Sequence, residues 1–354
     1  MQIPAGLLSD QYGPRKILTI AMLACAVSTL IFSDANHFYS AGYSRLLLGF
    51  GASFAYCCPL LIAKYWFPAK RFAMIGGFIQ TLGALGAMIG NEPIAVMTEN
   101  FGWRNACELI GFFGIVFGAL MWLIVQDRPK DHPSNHLERT KTIEALKMVF
   151  SNPQNWIVAI LGFCCWAPMT ILAELWGRSF LTTSFQLNLQ QSALMMTWVW
   201  LGVAIGGPFM GWLSNHIYSR KKGLLISYVS CLLATVFLIY LPISNYIIIA
   251  LSLLVFGGAC AGQCITFGII SDINDKNILG TAIGFNNMAV ISGGIFLQPI
   301  VSFLLDYSAK HQGQLEIILS KPNFQYAFIV IPIVSIIGLV LSQCVLKESL
   351  KPQP

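Results

Sequence analysis

Arg45 and Glu174 have the most chemistry to offer, because each stands inside a long apolar stretch. A charge at the centre of a membrane helix costs roughly 2.5–3.5 kcal/mol, so it needs a partner or a purpose. Arg45 opens Arg45-Leu-Leu-Leu-Gly49-Phe-Gly51, early in its stretch. A guanidinium there can bind a carboxylate, pair structurally, or snorkel to the interface. Glu92, beside Pro93, is either its pairing partner or an interfacial acid. Glu174 ends the run Trp166-Ala-Pro168-Met-Thr170-Ile-Leu-Ala-Glu174-Leu-Trp176. Pro168 can free backbone carbonyls toward a cavity. A carboxylate between two tryptophans suits a proton carrier or a partner for a substrate amine; an external helix cap is the other reading.

Neutral polar groups at similar depth are Tyr56, Gln80, Gln263, Asn286, Asn287 and Gln298. Amides on helices lined with small residues suit a cavity wall, and equally suit interhelical hydrogen bonds of about 0.6 kcal/mol each. Trp166, Trp198 and Trp200 could line an aromatic cavity. No catalytic constellation, Walker phosphate loop or metal-ligand cluster is legible, and no cofactor is implied. The ten cysteines lie almost all in apolar stretches and read as small apolar side chains. Asp272 reads as a cap where a helix leaves the membrane.

The elements that must position these residues are helices. The chain has 354 residues, 56% hydrophobic and 10% charged, with a mean hydropathy of +0.68. A soluble domain carries roughly 25% charge, so an all-α polytopic membrane protein is expected. Ten full spans are legible, of about 20 residues or more each. Four lie at 17–33, 39–65, 72–97 and 106–125, with 100–104 as an interfacial turn; six lie at 156–177, 191–213, 223–241, 246–270, 279–305 and 324–346. Residues 1–8 read as the end of a partial helix. The expected domains are an N-terminal helical bundle (1–126), a cytoplasmic linker (127–153) with an amphipathic helix at 142–150, a C-terminal six-helix bundle (154–346) and a cytoplasmic tail (347–354).

The net charge of +6 reflects loops rather than affinity for nucleic acid. If the turn at 9–16 is cytoplasmic, sixteen of the 21 Lys and Arg residues fall on that side: 15, 16, 64, 70, 71, 128, 130, 139, 141, 147, 220, 221, 222, 276, 347 and 351. Arg104, Arg178, Lys310 and Lys321 fall outside or at the interface. That bias places the linker and tail in the cytoplasm of a multi-pass inner-membrane protein.

The turn itself is Gly6-Leu-Leu-Ser-Asp10-Gln-Tyr-Gly13-Pro-Arg15-Lys16. Asp10 can accept hydrogen bonds from amides at the start of the next helix, and Gly13 permits the reversal. A second copy, Gly211-Trp-Leu-Ser-Asn215-His-Ile-Tyr-Ser-Arg220-Lys221, stands after the second span of the later half, with Asn215 in place of the acid. The first copy resembles the signature loop between helices 2 and 3 of the major facilitator superfamily. Arg45-x-x-x-Gly49 resembles that family's helix 4 motif. The resemblance implies two helical bundles, a central cavity and alternating access. It implies a latch at Asp10 secured by Arg15, coupling or substrate roles for Arg45, and one helix plus most of another ahead of Met1. It also implies a secondary active transporter, with protons as coupling ion, acting as a monomer in the lipid bilayer. The segments around Glu174 and Gly284–Gln298 resemble phagosomal amino-acid transporters and lysosomal dipeptide-transporter relatives, which implies a zwitterionic cargo. Efflux of amphipathic drugs is the alternative cargo class. A truncated, non-transporting remnant or membrane sensor is the alternative of another kind.

Overall fold

The computed structural model describes residues 2–68, 71–128, 142–242, 245–311 and 320–349. Residues 129–141 of the expected linker and 350–354 of the tail lie outside the described residues, with Lys70, Lys130, Arg139, Lys141 and Lys351. The side chain of Glu92 lies outside them too, and with it the Arg45–Glu92 pair.

Ten helical segments are long and apolar enough to cross a membrane among the described residues. Helices satisfy every backbone group internally, the condition lipid imposes. The chain runs through α1 (Gln2–Tyr12), α2 (Pro14–Ser33), α3 (Phe38–Ala52), α4 (Cys57–Trp66), α5 (Phe72–Ile124), α6 (Thr142–Ser151), α7 (Pro153–Ile171), a π-helical turn (Leu172–Trp176), α8 (Gly177–Phe185), α9 (Leu189–His216) and α10 (Arg220–Tyr240). It continues through α11 (Tyr246–Cys260), α12 (Gln263–Ile273), α13 (Leu279–Ile291), α14 (Gly293–His311), α15 (Lys321–Ala327) and α16 (Val330–Cys344).

Several spans are two helices joined across a break. Ala261 and Gly262 separate α11 from α12, and the π turn follows Pro168 in the span Pro153–Phe185. The expected turn at 100–104 is far tighter than its composition suggested. Helix continues on both sides of Gly102, the one non-helical residue in α5, at φ 80°. Glycine tolerates that dihedral where other residues resist it. The amphipathic stretch within the expected linker is helical, as its period required.

The chain divides into two compact units: 1–72 with 86–152 and 274–285, and 73–85 with 153–273 and 286–354. In the first, the start of α13 packs against α1. A side chain on Gly6 would overlap the Gly280 carbonyl, so only glycine permits that approach. In the second, α9 and α11 pack through small residues, with Gly206 against Gly258, the contact type that draws helices together in lipid. Of the glycines in α5, Gly77 meets Gly207, whereas Gly83 and Gly86 face open space.

Gly6→Val is therefore expected to part α1 from α13. Its measure is loss of hydrogen-exchange protection at the amides of Gly280 and Thr281, with helix content by circular dichroism unchanged.

Candidate functional site

Asp10 does not cap the next helix. Its carboxylate accepts from the Gly280 amide at 3.0 Å and the Thr281 amide at 2.9 Å, and from the Thr281 hydroxyl at 3.2 Å. Amides at a helix start are unpaired donors with a partial positive charge, which suits an anion. Burial pushes the Asp10 carboxyl up to about 6, against the lowering effect of these hydrogen bonds and of Lys64. Lys64 in turn donates to the Lys276 carbonyl.

The cap of α2 is Asp127, which accepts from the Arg15 amide at 2.6 Å. Gly13 leaves the room: its φ is 88°, and a Cβ there would come within 2.9 Å of the Asp127 carboxylate. The Arg15 guanidinium donates to the Trp122 carbonyl and lies 4.6 Å over the Trp122 ring. Lys16 is exposed.

The second copy holds its arginine differently. Arg220 is fully buried. Its Nε pairs with Asp272 at 3.1 Å, and Nη1 donates to Ser214 at 2.8 Å and Asn215 at 2.9 Å. Gly211 lies against Ala73 and Met74 of α5. Asp272 is thus not a simple helix cap but the counter-ion of a buried guanidinium, and it also accepts from Ser349 at 2.9 Å. Glu348 then takes the position that Asp127 has in the first copy. It accepts from the Arg220 amide at 2.9 Å and the Ser219 hydroxyl at 2.5 Å. In each half, a carboxylate just after the last helix caps the helix that follows the signature turn. Sequence reasoning missed Asp127 and Glu348, because one acid after a span looks like any solvated acid. Their equivalent placement in the two halves was the available signal.

The membrane-depth residues fall into separate groups. Arg45 is exposed on α3, its guanidinium 3.9 Å over the Phe32 ring. Tyr56 stands in the break between α3 and α4. Gln80 is buried in α5, and neither amide atom has a hydrogen-bond partner among the described residues. Glu174 lies in the π turn and accepts from Trp166. Gln298 donates to the Thr170 carbonyl at 2.8 Å, bracing the Pro168 turn. Asn286 donates to the Thr266 hydroxyl at 3.0 Å, and that hydroxyl donates to the Gln263 carbonyl at 2.7 Å. The order of donors fixes the Asn286 amide, so its oxygen is left over. That oxygen and the Gln263 side-chain oxygen are buried without a partner among the described residues. Asn287 is also buried, on the same helix. Thr266 and Thr170 join these amides, and neither was singled out by type. Among the described residues no three His, Cys, Asp or Glu side chains converge on a metal position.

The family model described as Major Facilitator Superfamily matches residues 1–299 and 178–354. The chain belongs to the major facilitator superfamily. It is 23% identical over 323 residues to the hexuronate transporter of Bacillus subtilis (strain 168), covering 87% of this chain and 76% of that protein. It is 25% identical over 356 residues to the probable galactarate/D-glucarate transporter of Escherichia coli (strain K12), covering 87% and 78%. Among solved structures, the fucose:proton symporter FucP in its outward conformation matches with a TM-score of 0.72 at 13% identity, over 97% of this chain and 85% of that one. A bacterial homolog of the human lysosomal transporter Spinster matches at 0.58 and 15%, over 97% and 85%. At those identities the structures share the fold. As a member of the superfamily the chain is a multi-pass membrane protein and a secondary transporter, not an enzyme.

Proposed function

We propose that this transporter moves a small carboxylate-bearing metabolite across the plasma membrane, coupled to protons, as a monomer with linker and tail in the cytoplasm. The observation that carries the cargo class is the match over most of the chain to transporters named for hexuronate and for galactarate/D-glucarate. Arg45 is the fitting group in the first unit: a membrane-depth guanidinium whose face rests on Phe32, with the planar fork that binds a carboxylate. Within the second unit, Gln263 and Asn286 have acceptor oxygens without a protein donor among the described residues, which suit hydroxyl donors. Asp10, on the start of α13, acts as the latch of the cytoplasmic gate.

Arg45→Gln is expected to lower kcat/KM for uptake of such an acid about 10–100-fold, the worth of a charged hydrogen-bond pair. Arg45→Lys, which keeps the charge and loses the fork, recovers only part. Uptake unchanged in both would remove Arg45 from the site.

A zwitterionic cargo, an amino acid or small peptide, is the second reading. Glu174 favours it, since a carboxylate held by Trp166 in a π turn could meet an amine. The same residue is the candidate proton carrier. Uptake that still follows an imposed pH gradient in Glu174→Gln would exclude that role. Aromatic efflux through Trp166, Trp198 and Trp200 has no counterpart in the named relatives above.

A further inference from the structure

A cavity of about 280 Å³ lies in the second unit, away from every residue assigned so far. Its lining comes from three places: Ser184, Phe185, Gln186 and Leu187 after α8, then Pro242, Tyr246 and Ile249 around the start of α11, and Lys321. Its volume is near the lower end for small-molecule sites, about 300–1,000 Å³.

Three features of the lining point one way. Among the described residues, Lys321 is the one lining side chain that carries charge at neutral pH, and no carboxylate lines the cavity. The ammonium lies 5.8 Å from the Phe185 ring centroid. The Ser184 hydroxyl is buried without a hydrogen-bond partner among the described residues. Gln186 holds a left-handed backbone, φ 55°, at the end of α8. Glycine or asparagine would adopt that conformation at less cost. A glutamine there puts a polar side chain on the cavity rim, which offers a reason for its presence.

We propose that this cavity is an outer anion site, which receives a small carboxylate or sulfonate before it enters the translocation path. The proposal rests on the organic-anion cargo and on the orientation set by the basic residues, which puts Lys321 outside. Lys321 supplies the attraction, Ser184 and Tyr246 the hydroxyl contacts, and Phe185 and Ile249 the apolar wall. A single cation with an apolar wall selects a monovalent head on a compact body over a bare inorganic ion.

The test uses the full chain in right-side-out vesicles, with Gln186→Cys as reporter and membrane-impermeant thiosulfonates as probes. The anionic sulfonatoethyl reagent is expected to label Cys several-fold faster than the cationic trimethylammonioethyl one. Adding Lys321→Gln should bring the two rates together, and Lys321→Arg should restore the difference. Millimolar glucuronate should slow labelling in neutral-lipid vesicles. Equal rates for the two reagents, or a preference that survives Lys321→Gln, would overturn the proposal. So would protection that needs phosphatidylglycerol, which would assign the cavity to a lipid headgroup. These rates need no transport, so failure of the site and failure of the cargo assignment are read separately. In uptake, Lys321→Gln should raise KM several-fold and leave kcat unchanged.

Discussion

Asp272→Ala is expected to destabilise the protein by about 3–5 kcal/mol, the usual cost of orphaning one member of a buried pair. Arg220 is wholly buried, and its Nη2 already has no partner among the described residues. Without Asp272 the guanidinium would keep, among the described residues, the neutral oxygens of Ser214 and Asn215. Those cannot replace the counter-charge in a low-dielectric site. Asp272→Asn preserves one acceptor and should cost less. The double change Arg220→Met with Asp272→Leu should recover most of the loss, because an apolar pair of similar volume removes the desolvation penalty. Apparent melting temperature in detergent reads all three. Additive losses in the double variant would mean that the pair is not the source of the effect.

The Asp10 contact with the start of α13, proposed above as a latch, is expected to tighten as the solution on its side of the membrane is acidified. An unburied aspartate titrates near 3.9, whereas burial holds this one at about 6. The latched state therefore binds a proton more tightly than a state in which Asp10 is solvated. Protonation favours the latch fully below about pH 4, and that advantage is lost as pH rises through about 6. Within the window the equilibrium shifts by at most about tenfold per pH unit. Lys64 on α4 faces the carboxylate and opposes the shift, with Lys276 and Arg128 close to Lys64. Exchange of the Gly280 and Thr281 amides, corrected for intrinsic rates, reports the latch directly. Their protection should be greater at pH 5 than at pH 7.5 in the wild type, and flat in Asp10→Asn. Protection that falls on acidification would reverse the assignment.

How much was legible in advance follows from what each feature depends on. The signature turn was legible, because glycine, acid, glycine and base at fixed spacing report a local reversal. The partner of Asp10 was not, because Gly280 and Thr281 lie some 270 positions along the chain. The ten spans follow from hydropathy alone, yet the turn at 100–104 shrank to one glycine, since sequence shows polarity but not how tightly a chain bends. Asp272 looked like an acid at a helix exit until Arg220 folded back onto it. The amides of Gln263 and Asn286 stood out against an apolar background, whereas Thr266, which joins them, is a type common in membrane helices. The cavity at Lys321 gathers residues from three distant segments, so no local pattern announced it.

Uptake by the purified protein in proteoliposomes decides the central point. With an inward proton gradient, radiolabelled D-glucuronate or D-glucarate should accumulate saturably above equilibrium. A protonophore should collapse that accumulation, and Arg45→Gln should lower its kcat/KM about 10–100-fold. Accumulation of an amino acid or a cationic dye under the same gradient, with no movement of either acid, would contradict it.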